Sequence, residues 1–228
     1  MKKRLIFWDI DGTLMYCGSN GTMALNKTFR DIYGIEDAFE KAGIGRAMDA
    51  VILENIFEGF RIPDPDREGV MARYIANLGE ILKQNEQKRV MPGVPQLLDY
   101  IDRHPSLFNG ILTSNFRLGA WTKLDSVDIL GYFKVGGFGD IIGEKWDAAL
   151  RGVMEAERFF GVSFHRSDVI IIGDSAYDIE CAKRLGMISI GVATGWTDYE
   201  TLGSHEPDYL FHDLTDYSKI IDIIGSNK

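Results

Sequence analysis

The chain has 228 residues, 45% of them apolar and 26% charged, with a formal net charge of −9, which is enough for one substantial core and a small second module. An acidic balance without Lys/Arg clusters excludes a nucleic-acid-binding surface. Cys17 and Cys181 are too few and too distant for a disulfide framework or zinc ribbon.

The first predicted element is a buried strand over residues 4–8, ending in Asp9-Ile10-Asp11-Gly12-Thr13. Its carboxyl end lies at the rim where open α/β folds gather ligands. Burying two adjacent unpaired carboxylates is costly, so a cation or a proton has to offset them. Gly12 lets the chain turn sharply and leaves space beside the acids. The plain alternative is an acidic turn closing a strand. The stretch from Met1 to Arg4 runs straight into this strand and leaves no cleavable signal, and no apolar run approaches membrane-spanning length, so a cytoplasmic, membrane-free protein is expected.

From Met15 to Met91 the pattern is helical only. Ala24, Leu25, Thr28, Phe29 and Ile32 recur at helical spacing, as do Val51, Ile52, Asn55, Ile56 and Phe60, and then Val70, Tyr74, Leu78, Ile81 and Leu82. Residues 42–49 read as a turn between helices. Arg46 there has two readings: reaching a substrate anion, or pairing with an acid such as Asp49.

Beyond this stretch, apolar and amphipathic segments alternate. Strands are predicted near 109–113, 168–173, 187–193 and 208–211, with helices near 96–103, 118–126, 146–160, 176–185 and 215–224. Such alternation implies right-handed βαβ crossovers and a parallel sheet covered on both faces. The second strand ends in Thr113-Ser114-Asn115, whose side chains can donate to an oxyanion or cap the following helix. The Gly136-Gly137-Phe138-Gly139 run lacks the context of a nucleotide loop and reads as a flexible rim loop. Lys145 follows at the head of the 146–160 helix.

Next comes an apolar run ending in Gly173-Asp174, with Asp178 four residues on. A helix starting near Ser175 sets Asp178 one turn beyond Asp174, so both can face one pocket. Separately, Asp174 could be a helix cap and Asp178 a first-turn acid. Two strand-end acid clusters in one chain instead point to a shared divalent metal, and all-oxygen ligation favours Mg²⁺ over zinc. The four histidines, His104, His165, His205 and His212, show no metal-ligand spacing.

In order and spacing, these motifs resemble those of the haloacid dehalogenase superfamily, in its phosphatase-like branch. Asp9 and Asp11 fall on the Asp-x-Asp-Gly-Thr motif, Thr113 on the hydroxyl motif, Lys145 on the cationic motif, and Asp174 with Asp178 on the acidic motif. The family's lysine usually precedes a proline where this chain has Trp146, so Arg151 on the same helix is a second candidate. The resemblance implies a Rossmann-like α/β core over residues 1–15 and 92–228 and an inserted helical cap over 16–91. It further implies Mg²⁺ held by Asp9, the main-chain carbonyl of Asp11 and Asp174. Asp9 would be the nucleophile and Asp11 the general acid and base. Thr113, Ser114 and Lys145 would hold phosphoryl oxygens, with Asp178 and Asn115 in support. The expected partner is a small phosphorylated metabolite. Asp11 argues for phosphoryl transfer over dehalogenation, because displacing halide needs no protonated leaving oxygen. A phosphohexomutase and a catalytically silent binding protein remain as alternatives, and nothing in the sequence addresses oligomeric state.

Overall fold

The computed structural model describes residues 2–43 and 47–225. The chain runs through β1 (Arg4–Trp8), β2 (Met15–Tyr16), α1 (Asn20–Tyr33), α2 (Ala38–Lys41), α3 (Asp49–Gly59), α4 (Arg67–Gln84), β3 (Arg89–Val90), α5 (Val94–Arg103) and β4 (Leu107–Leu112). It continues through α6 (Arg117–Asp125), β5 (Gly136–Gly137), α7 (Lys145–Phe160), β6 (Val169–Gly173), α8 (Ala176–Leu185), β7 (Ile188–Val192), α9 (Tyr199–Ser204), β8 (Tyr209–Phe211) and α10 (Tyr217–Gly225).

Six strands form one sheet in the order β5-β4-β1-β6-β7-β8, with every neighbouring pair parallel. Leu5, Ile6, Phe7 and Trp8 are fully buried, so the uninterrupted apolar run is what a central strand covered on both faces requires. Leu5 and Phe7 pack with Ala148 and Ala149 of α7 and Ala182 of α8, while Ile6 and Trp8 share a cluster with Leu97 and Ile101 of α5 and Ile220 of α10. The Trp8 indole N–H donates to Asn109 Oδ1 at 3.0 Å, which satisfies its one polar atom inside that core.

The order reverses at β1, which has β4 on one side and β6 on the other, with Trp8 in register with both Ile111 and Ile172. The residues just past these strands therefore emerge side by side at one rim, the switch point of a doubly wound sheet.

Residues 15–91 are not purely helical. β2 and β3 pair antiparallel, Met15 opposite Val90, and Met91 N donates to Leu14 O at 2.9 Å. This ribbon brings the outgoing and returning chain together beside the Asp9–Asp11 turn. Two-residue strands carry too little pattern to show period-two alternation. Between them α1, α3 and α4 pack through Leu25, Phe29, Ile56, Val70 and Leu78, in a cluster continuous with the sheet-side core. Tyr74 of α4 meets Phe116, before α6, edge-on at 6.1 Å.

The glycine run is also not a flexible loop. Gly136 and Gly137 form the buried edge strand β5, and a Cβ on Gly137 would collide with the Ala148 carbonyl. One on Gly152 would come within 2.7 Å of Gly137 N. The glycines thus let α7 lie directly against the sheet, and this close approach carries Lys145 to the rim. No helix among the described residues is long and apolar enough to cross a membrane.

Candidate active site

Asp9 leaves β1 with its N–H donating to Ile172 O of β6 at 3.0 Å, so the sheet ladder itself fixes its position. The turn after it is closed by Leu14 and Met15 N–H groups, both donating to Ile10 O. Gly12 adopts φ +87°, and a Cβ there would approach Asp174 Oδ2 to 2.7 Å and Gly195 Cα to 2.8 Å. Only glycine meets both the backbone and the space requirement.

Asp9, Asp174 and Asp178 are all buried, and each offers an oxygen within 4.8 Å of the others. Lys145, 2% exposed, is the cation set among them: its Nζ lies 2.9 Å from Asp9 Oδ1 and 2.6 Å from Asp178 Oδ1. α7 begins at Lys145, whose backbone N–H donates to Tyr177 OH at 2.8 Å, and that hydroxyl donates to Glu144 Oε2 at 2.7 Å. Trp146 stands where a proline is usual and meets Tyr177 edge-on, with Arg184 stacked 4.0 Å over its ring. Arg151 lies on the outer side of α7, exposed beside Met154, Glu155 and Arg158, so the rim cation is Lys145.

Ser175 is the N-cap of α8, so Asp174 is not its cap. Asp178 accepts at Oδ2 from Ser175 N at 3.2 Å and Ser175 Oγ at 2.5 Å, while its Oδ1 faces Lys145. Asp178 is thereby held through both oxygens, Oδ1 by the Lys145 ion pair and Oδ2 by Ser175, whereas Asp9 is held through Oδ1 by Lys145 and Asp174 through Oδ1 by Thr13 Oγ1, which leaves their Oδ2 atoms for a cation. Burial pushes the Asp9 carboxyl up; Lys145 opposes this and Asp178 reinforces it. Burial likewise raises Asp174, with Asp9 and Asp178 adding to the effect. Three buried carboxylates against one ammonium leave excess negative charge, and the free donors are all oxygen. This composition fits a hard divalent cation such as Mg²⁺.

Asp11 faces a different environment. Its Oδ2 accepts from Lys123 Nζ at 2.5 Å and Asn115 Nδ2 at 2.9 Å, and its Oδ1 accepts from Cys17 Sγ at 3.2 Å. Burial alone would raise this carboxyl, but Lys123 and the other donors win and hold it below the ordinary value. Burial pushes the Cys17 thiol up to about 12, so Cys17 is a weak donor and not a nucleophile. Lys123 went unnoticed in the sequence. The available signal was its spacing: Gly119, Ala120, Lys123 and Leu124 form the buried face of α6, and a lysine in that stripe needs a carboxylate partner.

Thr113 is fully buried, and its Oγ1 accepts from Asn115 N at 3.2 Å and Asn115 Nδ2 at 2.7 Å, so its own proton is free to point into the cavity. Neither Ser114 nor Asn115 caps α6 by its side chain. Asp49 of α3 instead accepts from Phe116 N at 2.9 Å, and Asp140 accepts from Arg117 N at 2.8 Å. In return, Asp49 N donates to Ser114 O and Ala50 N to Gly139 O, both at 2.9 Å, so the N-termini of α3 and α6 are fastened to each other. Asp49 is thus engaged by backbone, and Arg46 lies outside the described residues.

A cavity of about 430 Å³ touches Asp9, Asp11, Thr113, Ser114, Asn115, Lys145 and Asp174, with Asp178 behind Lys145. The sequence-predicted residues that the structure describes therefore converge on one opening.

The sequence profile of the family described as haloacid dehalogenase-like hydrolase matches residues 6–192. The phosphoglycolate phosphatase of Aquifex aeolicus is 27% identical, over 96% of this chain and 97% of its own. Among solved structures, CbbY from Rhodobacter sphaeroides, in complex with phosphate, superimposes with a TM-score of 0.70 at 18% identity, covering 94% of this chain and 96% of that one. A beta-phosphoglucomutase candidate from Thermotoga maritima gives 0.62 at 20% identity, over 97% and 99%. With the acids, the hydroxyl and the lysine gathered at the switch point of a parallel sheet, and with a family profile that spans most of the sequence, the chain belongs to the haloacid dehalogenase-like hydrolases, in their phosphatase-like branch.

Proposed function

We propose that the protein is a Mg²⁺-dependent phosphatase that hydrolyses a small phosphomonoester, a phosphorylated cytoplasmic metabolite, through Asp9. The observation that carries this reading is the Lys145 ammonium held between Asp9 and Asp178 on the floor of the cavity that Thr113 and Asp174 also line.

Attack by Asp9 on phosphorus would break the bond to the alcohol oxygen and leave an aspartyl-phosphate, splitting one difficult hydrolysis into two easier steps. Asp11 would protonate the departing alkoxide and later accept a proton from the water that cleaves the intermediate. Because Lys123 and Asn115 hold Asp11 as an anion, their grip has to loosen as substrate enters for that proton to be carried. Thr113 and Lys145 would draw the charge that spreads over the phosphoryl oxygens, with Ser114 beside them. Mg²⁺ would be held by Asp9, Asp174 and the main-chain carbonyl of Asp11, and supplies charge neutralisation between the anionic nucleophile and the phosphate.

In this reading residues 16–91 are a cap hinged at the β2–β3 ribbon, which excludes water from small substrates. The relatives named phosphoglycolate phosphatase make phosphoglycolate the first ester to try. The test is phosphate release from a panel of phosphomonoesters, with Mg²⁺ and with excess chelator, by wild type and Asp9→Ala. Release that needs both Mg²⁺ and Asp9 supports the reading, and release by Asp9→Ala at the wild-type rate contradicts it. Conversion of a hexose phosphate to its isomer without net phosphate release would identify a mutase instead.

A further inference from the structure

A second cavity, of about 400 Å³, opens from Asp11 away from Asp9 and runs between α1, α3, α4 and α6. On the phosphatase reading, on which this inference rests, the phosphoryl group sits at Asp9 and this chamber receives the alcohol to which it is esterified. Leu25, Phe39, Ile52 and Phe116 give it apolar walls suited to a carbon skeleton. Its polar groups set what that skeleton can carry.

Tyr74 is 4% exposed, lines the chamber, and has a hydroxyl with no hydrogen-bond partner among the described residues. Water in the chamber can reach this hydroxyl, and a ligand group that bonds to it would take that water's place. Asp49 Oδ2 accepts from Phe116 N, and Oδ1 has no such partner among the described residues. Asp49 and Tyr74 line the same chamber, where burial raises the Tyr74 hydroxyl and the Asp49 charge adds to the effect. Lys123 is the one cation among the described lining residues, and its charge is already matched by Asp11 at 2.5 Å. Asp49 is therefore an acceptor without a cation of its own. Burial pushes its carboxyl up to about 7, so it is ionised at pH 8.

We infer that the leaving alcohol carries a hydrogen-bond donor, a hydroxyl or an amine, read by Asp49 and Tyr74, and that a carboxylate at the same place is rejected. A donor pairs with Asp49 Oδ1 and leaves the Tyr74 hydroxyl free to reach the same group. A carboxylate there would meet Asp49 as a like charge, with Tyr74 alone of the two able to donate to it.

Three esters that differ only in the terminal group test this: 2-hydroxyethyl phosphate, phosphoethanolamine and phosphoglycolate, with p-nitrophenyl phosphate as an ester lacking any such group. With Mg²⁺ at pH 8, wild-type kcat/KM for the better of the hydroxyl and amine esters should exceed that for phosphoglycolate by about tenfold or more. Asp49→Asn and Tyr74→Phe, both close in shape to the native residues, should each cut that ratio by about fivefold, chiefly through KM. Phosphoglycolate turned over as well as the others by wild type, or a ratio that both variants leave intact, overturns the inference. Turnover of p-nitrophenyl phosphate alongside the wrong order overturns it alone. No turnover of any of the four esters overturns the phosphatase reading together with it.

Discussion

Asp9 and Asp11 are two residues apart, yet they sit in opposite electrostatic surroundings. Asp9 shares one lysine with two other buried carboxylates, and its carboxyl is pushed up by burial. Asp11 has a lysine of its own plus an amide and a thiol donor, and its carboxyl is held down. The local sequence is nearly the same at the two positions, so the difference comes from which helix meets each side chain: α7 brings Lys145 to Asp9, and α6 brings Lys123 to Asp11. On the Asp9 side three buried carboxylates share one ammonium, which is where a divalent cation would have a role.

This contrast breaks most visibly at Lys145. Lys145→Met should lower phosphate release by about 10³-fold and destabilise the fold by about 3–5 kcal/mol, because three buried carboxylates would be left without a cation. Added Mg²⁺ should recover part of that stability in thermal melts. Lys123→Met should cost less, about 1–2 kcal/mol, since the Asp11 side chain keeps 34% of its exposure and water can solvate it. Mg²⁺ should give this variant no more recovery than it gives wild type. Equal Mg²⁺ rescue of both variants would show that the two acids share one electrostatic site.

Much of this was legible in the sequence because it rests on patterns long enough to read. The uninterrupted apolar runs marked the buried parallel strands, and the acid or hydroxyl ending each marked the rim, so Asp9, Asp11, Thr113 and Asp174 could be placed together. What escaped depends on contacts between distant segments. Gly136 and Gly137 offer no side chains to show that they are a strand; they become one because α7 packs against them. The β2–β3 ribbon is two residues on each side and has no periodicity. Lys123 looks like any helical lysine until its face of α6 is known to be buried.

A finer test of the same contrast is Asp49, near Asp11 and without a lysine of its own. Its ordinary value of 3.8 is raised to about 7 by burial, so the folded state holds a proton that the unfolded state releases. Its contribution is fully present below about pH 4 and is lost as pH rises to about 7. Asp49→Asn does not titrate, so in melts across this range stability should shift in its favour relative to wild type by about 4 kcal/mol and then stay level above pH 7. The smallest effect belongs to Arg151→Ala, on the outer side of α7. It should change stability by no more than about 0.5 kcal/mol and leave phosphate release unaltered. A large loss there would return the cationic role to Arg151.

The central claim is that Asp9 becomes phosphorylated. Wild type and Asp9→Ala should be mixed with a turned-over ester and Mg²⁺, quenched in acid within one turnover, digested and weighed peptide by peptide. The account predicts a phosphoryl increment on the wild-type peptide carrying Asp9 and none on any peptide of the variant. Full turnover with no phosphorylated peptide, or an increment on a peptide without Asp9, would contradict it.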